Sequence, residues 1–296
     1  MALEGGLMKE VGFYDALDER KVQCHVCHHH CIIGPKQRGI CGVRENQKGK
    51  LYALNYGKTI ATQIDPIEKK PLYHYLENTR TYSLATVGCN LHCLWCQNWR
   101  ISQSPKPNKE IIGQYISPEE HINQALKHGC DSISYTYTEP TIFFEYAFDI
   151  MTLAKEKGLK NIWVSNGYMS KQVFDAIVPL LDAINIDIKG FDDDIHKKYC
   201  GCLAGPIREN IRKFHQAGIH IELTTLIVPG MNDDVKDLER IAEFIEELDP
   251  HIPWHISRMY PAWKMSDSRP TPKDIMYQAK ELAKKHHIKN CHLGNI

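Results

Sequence analysis

The sequence lacks any apolar run approaching the ~20 residues needed to cross a bilayer, so it predicts no transmembrane helix. It also lacks net charge: 36 Lys and Arg offset 36 Asp and Glu. No broad field therefore draws in nucleic acid or an anionic membrane, and neither is an expected partner. The N-terminal residues carry acidic side chains where a signal peptide would need an apolar core, and the expectation is a soluble, cytoplasmic protein. Internal repeats and low-complexity tracts are missing too. Proline and glycine cluster only locally, as in Ser104-Pro105-Lys106-Pro107, which reads as a linker.

Eleven cysteines are present, and without an export signal they point to metal or redox chemistry rather than disulfides. Seven fall into two tight groups, Cys24, Cys27, Cys31 and Cys41, then Cys89, Cys93 and Cys96. Cys130, Cys200, Cys202 and Cys291 are scattered and read as structural, a free cysteine being commonly buried. The second group is a C-x3-C-x2-C triplet placed directly after an apolar, β-prone segment. Three soft thiolates suit an iron–sulfur cluster, zinc or Cu(I). A cubane held by three protein ligands keeps one iron free, whereas zinc would want a fourth ligand or a water. A zinc knuckle or three buried thiols are the competing readings.

From about residue 81 onward, short β-branched runs alternate with helical patterns, as in a parallel sheet with crossover helices. Strands are predicted at Tyr82 to Val87, Ser132 to Thr138, Asn161 to Ser165, Ala183 to Ile188, His220 to Val228 and Trp254 to Arg258. Ser117-Pro118-Glu119-Glu120 and Asp233-Asp234 read as helix starts, and Gly129, Gly158 and Gly218 as helix stops. The predicted fold is α/β, a partial (β/α)6 TIM-like barrel over residues 76–296, preceded by a small Cys-rich appendage over residues 1–75. Within the appendage, Leu51 to Ile64 reads as a small β-hairpin.

In parallel α/β proteins the active site lies at the C-terminal ends of the strands. Polar residues just past the predicted ends are Cys89 to Cys96, Thr138-Glu139-Pro140, Ser165-Asn166-Gly167-Tyr168, Asp187-Ile188-Lys189 and Pro229-Gly230-Met231-Asn232, with His255 on the sixth strand. Asp187 and Lys189 alternate along one strand and so point the same way. Taken singly these are ordinary features: a loop carboxylate, an interior ion pair, a βα turn, a core histidine.

The triplet resembles the C-x3-C-x-φ-C motif of the radical S-adenosylmethionine (radical SAM) superfamily, with Trp95 at the aromatic φ position. Tyr135-Thr136-Tyr137-Thr138-Glu139-Pro140, Ser165-Asn166-Gly167-Tyr168, Asp187-Ile188-Lys189-Gly190, Leu226 to Asp233 and Trp254-His255-Ile256-Ser257 follow in order. This set resembles the branch containing pyruvate formate-lyase activating enzyme, and most closely the AmmeMemoRadiSam-system radical SAM enzymes. The resemblance implies a 4Fe-4S cluster on Cys89, Cys93 and Cys96, with Trp95 and Asn98 near adenine. It implies contacts to S-adenosylmethionine from Glu139, Ser165, Asn166, Asp187, Lys189 and His255. Glu139 would accept from the methionine ammonium, Asp187 and Lys189 would bind ribose and carboxylate, and the Ser165–Gly167 turn would hold the sulfonium or carboxylate. A one-electron donor such as ferredoxin or flavodoxin, and a protein substrate or system partners, follow from the same likeness.

Two departures stand out. Many relatives carry Gly-Gly-Glu before the proline where this chain has Tyr137-Thr138-Glu139, which predicts a rearranged methionine-amino contact. Relatives extend past the segment matching Gly294-Asn295, so a truncated C-terminus or an uncapped last strand is expected.

Cys24, Cys27, Cys31 and Cys41, interleaved with His25, His28, His29 and His30, supply ligands for a further metal, with a structural four-thiolate zinc the preferred reading and an auxiliary iron–sulfur cluster its competitor. Mixed Cys and His ligation and metal-free thiols are the other readings. The leading function is an oxygen-sensitive radical SAM oxidoreductase whose 5′-deoxyadenosyl radical abstracts hydrogen from a substrate, in one form a protein glycine. The alternatives are radical modification of a small molecule or macromolecule with partner proteins, and a zinc-binding barrel without radical chemistry.

Overall fold

The computed structural model describes residues 8–106 and 109–296. Residues 1–7 of the N-terminal segment, and Pro107 of the expected linker, lie outside the described residues. Among the described residues, no helix is long and apolar enough to cross a membrane.

The N-terminal part holds β1 (Lys9–Glu10), β2 (Tyr14–Ala16), β3 (Val22–Cys24), β4 (Ile32–Ile33), β5 (Arg44–Gln47) and β6 (Lys50–Ala53). They form two three-stranded antiparallel sheets, β1-β6-β5 and β2-β3-β4. The large sheet is built from β7 (Lys58–Pro66), β8 (Arg80–Thr86), β9 (Gln114–Tyr115), β10 (Ser132–Tyr135), β11 (Lys160–Ser165), β12 (Ala183–Asp187), β13 (His220–Ile227), β14 (Trp254–Arg258) and β15 (Cys291–Gly294). Its order is β15-β14-β13-β12-β11-β10-β8-β7-β9, parallel from β8 to β15. The terminal strands β15 and β9 do not pair, so the sheet is an open, partial barrel.

The helices are α1 (Trp99–Ser102), α2 (Pro118–Lys127), α3 (Phe144–Glu156), α4 (Lys171–Ile177), α5 (Asp193–Cys200), α6 (Gly205–Gln216), α7 (Val235–Leu248) and α8 (Lys273–Lys285). The start signals act as the sequence predicts. Ser117 accepts from the Glu120 N–H at 3.2 Å, and Asp234 caps α7 by accepting from the Lys236 N–H at 2.7 Å. Gly129 and Gly158 end their helices at φ +59° and +76°, where a side chain would be strained.

All six predicted strands form, and three additions, β7, β9 and β15, change the outline. Cys291–Gly294 makes a seventh parallel strand on β14, too short and polar at His292 to stand out in the sequence. The expected hairpin over Leu51 to Ile64 does not form. The real hairpin turns at Lys48 and Gly49, whose φ values of +58° and +91° match the twist of paired strands. The β-branched run that follows becomes β7 instead, which covers the free edge of β8 with an antiparallel ladder. The last strand within residues 1–75 thus belongs to the large sheet.

One hydrophobic core runs through both parts, joining Val22, Val26, Ile33, Val43 and Leu51 to Leu84, Val87, Ile142 and Phe143. Arg44 on β5 forks onto Glu145 of α3 at 2.9 and 2.8 Å, with both side chains buried. The Val26 carbonyl accepts from the Ser170 N–H, and the Tyr168 carbonyl from the His28 N–H. The N-terminal segment therefore lies over the C-terminal ends of β8, β10 and β11.

Candidate active site at the strand ends

The chain leaves β8 through Gly88, whose φ of +105° favours glycine. A Cβ there would meet Val43 Cγ1 at 2.8 Å and the Cys41 carbonyl at 3.0 Å. The cysteine loop that follows is docked by backbone bonds from His92 to the Cys200 carbonyl, from Leu94 to Tyr199, and from Lys264 to the Leu94 carbonyl. A tight turn, Cys96 N–H to the Cys93 carbonyl, then feeds α1.

Around Cys89 the strand-end residues of β10 and β11 converge. The Cys89 sulfur accepts from the Leu91 N–H at 3.3 Å, with Asn166 Nδ2 at 3.9 Å. Asn166 Nδ2 also donates to Asn90 Oδ1 at 2.8 Å. Glu139 is fully buried. Its Oε1 accepts from the Thr141 N–H at 3.0 Å, the Thr141 hydroxyl at 2.6 Å and the Ser165 hydroxyl at 2.8 Å, and its Oε2 from the Asn166 N–H at 2.8 Å. Burial raises the Glu139 carboxyl even though these bonds favour its charged form.

Around Cys93 the end of β12 supplies charge. Lys189 and Asp187 pair at 2.6 Å, and both act on the Cys93 thiol. A hydrogen bond with Cys200 leads in raising that thiol, with burial adding to it, while Lys189 opposes. Burial pushes up the Cys89 and Cys96 thiols. Cys96 lies 3.4 Å from the Ser102 hydroxyl. Three half-buried thiols raised in this way ionise readily only beside a bound positive centre, which stabilises the thiolates.

The remaining expected contacts fall in two places. Asn98 donates to the Tyr137 carbonyl at 2.7 Å, beside the cysteine loop, and Trp95 is buried in the core. His255 lies apart, its Nε2 donating to Glu222 at 2.6 Å, its ring among Tyr73 and His292. Burial works to raise the Glu222 carboxyl, yet bonds from His220, His255 and the Tyr73 and His74 N–H groups bring it down to about 2. A carboxyl depressed on folding contributes stability above its ordinary value of 4.5 that is lost as pH falls toward 2. Urea titrations of wild type and Glu222→Gln are expected to diverge in that window, wild type losing about 3 kcal/mol that the variant does not. Parallel curves would remove Glu222 as the acid-sensitive group.

The sequence reading missed Asn90, Cys200, Glu222 and the Tyr137 anchor. Tyr137 takes φ +64° at the first position of Tyr137-Thr138-Glu139, the conformation a glycine adopts without strain. Its hydroxyl donates to Asp65 at 2.6 Å, and the Lys70 ammonium sits 4.4 Å from its ring centre. A glutamate inside the β-run His220-Ile221-Glu222 was the available signal for Glu222.

The spread of the sulfurs bears on what they hold. Four thiolates around one zinc lie about 3.8 Å apart, given a Zn–S bond near 2.3 Å. Among the described residues, the one group of three or more candidate ligand atoms mutually within 4.8 Å is Glu239, Glu243 and His286. The sulfurs of Cys89, Cys93 and Cys96 are thus not gathered as around a single ion, and three thiolates suit a polynuclear cluster whose irons each take one.

The family model described as "Radical SAM superfamily" matches residues 83–245, more than half of the chain. The chain belongs to the radical SAM superfamily.

Other comparisons agree. This radical SAM chain is 44% identical to an uncharacterized protein of Methanocaldococcus jannaschii, covering 98% of this chain and 86% of that protein. It is 28% identical to the pyruvate formate-lyase-activating enzyme of Staphylococcus epidermidis over 57% of this chain and 70% of that one. A structure of Streptococcus suis SuiB bound to S-adenosylmethionine shares the fold at TM-score 0.56 and 12% identity, over 71% of this chain and 49% of SuiB. A radical SAM methyltransferase from Sphaerobacter thermophilus does so at 0.56 and 13%, over 74% of this chain and 67% of that chain. The likeness to activating enzymes expected from the ordered motifs is found. Radical SAM enzymes use a 4Fe-4S cluster and S-adenosylmethionine, and the donor set here fits them. A zinc-binding barrel without radical chemistry is not what the family membership supports.

Proposed function

We propose that this chain is an activating-enzyme-like oxidoreductase that cleaves S-adenosylmethionine reductively and abstracts hydrogen from its substrate, a protein glycine being the leading candidate. Cys89, Cys93 and Cys96 would hold the cluster, whose chemistry with S-adenosylmethionine supplies a 5′-deoxyadenosyl radical. The protein must then grip the nucleoside and exclude water.

The observation that carries this reading is the convergence of three strand ends on the cysteine loop: Glu139, then Ser165 and Asn166 at Cys89, and Asp187 and Lys189 at Cys93. Soft ligands and a charged, hydrogen-bonded rim lie on the face where parallel α/β folds place chemistry. The N-terminal segment roofs the ends of β8, β10 and β11, so a substrate loop would enter from the β12–β15 side. Reducing equivalents would come from a one-electron donor such as ferredoxin or flavodoxin.

Anaerobically reconstituted protein with dithionite and S-adenosylmethionine is expected to form 5′-deoxyadenosine and methionine, read by chromatography. Iron-loaded protein that binds S-adenosylmethionine and releases neither product would end the proposal.

A further inference from the structure

We propose that Cys24, Cys27, Cys31 and Cys41 hold a second iron–sulfur cluster, closed by four protein thiolates and separate from the S-adenosylmethionine centre. All four are free and line one cavity, together with Val26, Ile33 and Ile142. Different elements bring them there. Cys24 ends β3 and its N–H donates to the Cys31 carbonyl, Cys27 bridges to Met169 after β11, and Cys41 packs against Gly88.

Two unpartnered donors stand on the wall of the same cavity. Arg44 uses its two terminal nitrogens on Glu145 and the Ile142 carbonyl, which leaves its buried Nε–H without an acceptor. Asn90 Nδ2 is likewise buried and unbonded. Leaving such donors unmet is costly. An iron–sulfur cluster ligated by four thiolates supplies acceptors, since its sulfurs accept hydrogen bonds that tune it.

Geometry favours a cluster over zinc. A four-thiolate zinc site draws its sulfurs to about 3.8 Å of one another, and no three of these sulfurs lie mutually within 4.8 Å. The separation from the first centre is one residue. Asn90 lines this cavity, its carbonyl accepts from His29 at 2.9 Å, and its side chain meets Asn166 beside Cys89.

The test is iron, sulfide and zinc quantification on anaerobically isolated protein, with electron paramagnetic resonance of the dithionite-reduced form. Wild type is expected to carry about eight irons and eight sulfides, two cubanes, and Cys24→Ser about half. A Cys89→Ala/Cys93→Ala/Cys96→Ala variant, which leaves the N-terminal cysteines untouched, is expected to keep about four irons and a signal that S-adenosylmethionine does not alter. About one zinc per chain in that variant, or neither metal, overturns the proposal. If Cys24→Ser fails to fold, the triple variant alone decides. Loss of iron in Cys24→Ser with none lost in the triple variant would uphold this site while removing the cluster assigned to Cys89, Cys93 and Cys96.

Discussion

Cys93→Ala is expected to abolish reductant-dependent cleavage of S-adenosylmethionine, a fall of about a thousandfold or more, to the assay floor. The triplet has no spare ligand, and a cubane left with two thiolates has lost its anchorage along with its open iron. Cys93 is the informative member because it lies against Cys200, which is itself buried at the end of α5. That neighbour raises the one structural threat to the proposed chemistry, a fourth thiolate that would cap the iron S-adenosylmethionine needs. Cys200→Ala separates the cases. With Cys200 acting only as a hydrogen-bonding neighbour, the variant keeps its cluster iron and its cleavage activity. Loss of the same iron in Cys200→Ala as in Cys93→Ala would mean a sealed centre, and the assigned function would fall with it.

Glu139→Ala is expected to cost about 4 kcal/mol of stability and to lower 5′-deoxyadenosine formation about a hundredfold. The carboxylate gathers donors from Thr141, Ser165 and Asn166, joining the ends of β10 and β11 in a site with no exposure to water. Truncation strands buried donors, each of which keeps its desolvation cost without its bond. Glu139→Gln keeps the volume but turns an amide N–H₂ toward one of those donors, and should fall between the two. Urea unfolding of the apoproteins checks the first figure, and product formation by the reconstituted enzymes the second. An alanine variant as stable as wild type would show that this carboxylate does not hold the two strand ends together.

The network also explains why Glu139 was visible as a candidate while its job was not. Its position after a β-run and before proline marks a strand end from sequence alone. Its acceptors, however, are filled by protein donors, and beside the local Thr141 these lie 26 or 27 residues away along the chain at Ser165 and Asn166. Asp187 and Lys189 behave in a similar way: period-two alternation puts them on one face, and only folding puts Cys93 and Cys200 beside them. His255 carried the same sequence credentials, yet Glu222 binds it within a cluster of His and Tyr rings. A histidine's partner is a matter of strand order and register, which a single motif does not encode.

By itself, the sequence determined the soft-ligand triplet, the alternation of strand and helix, the strand ends that can carry chemistry and the helix caps. Each follows from spacing within a few residues, where chain geometry leaves little freedom. Tertiary structure alone decided that β7 and β15 extend the sheet, that Tyr137 fills a glycine-like backbone position by anchoring on Asp65 and Lys70, and that the two cysteine groups meet across Asn90. Those facts depend on contacts between segments tens of residues apart, set by how one shared core packs rather than by any local pattern.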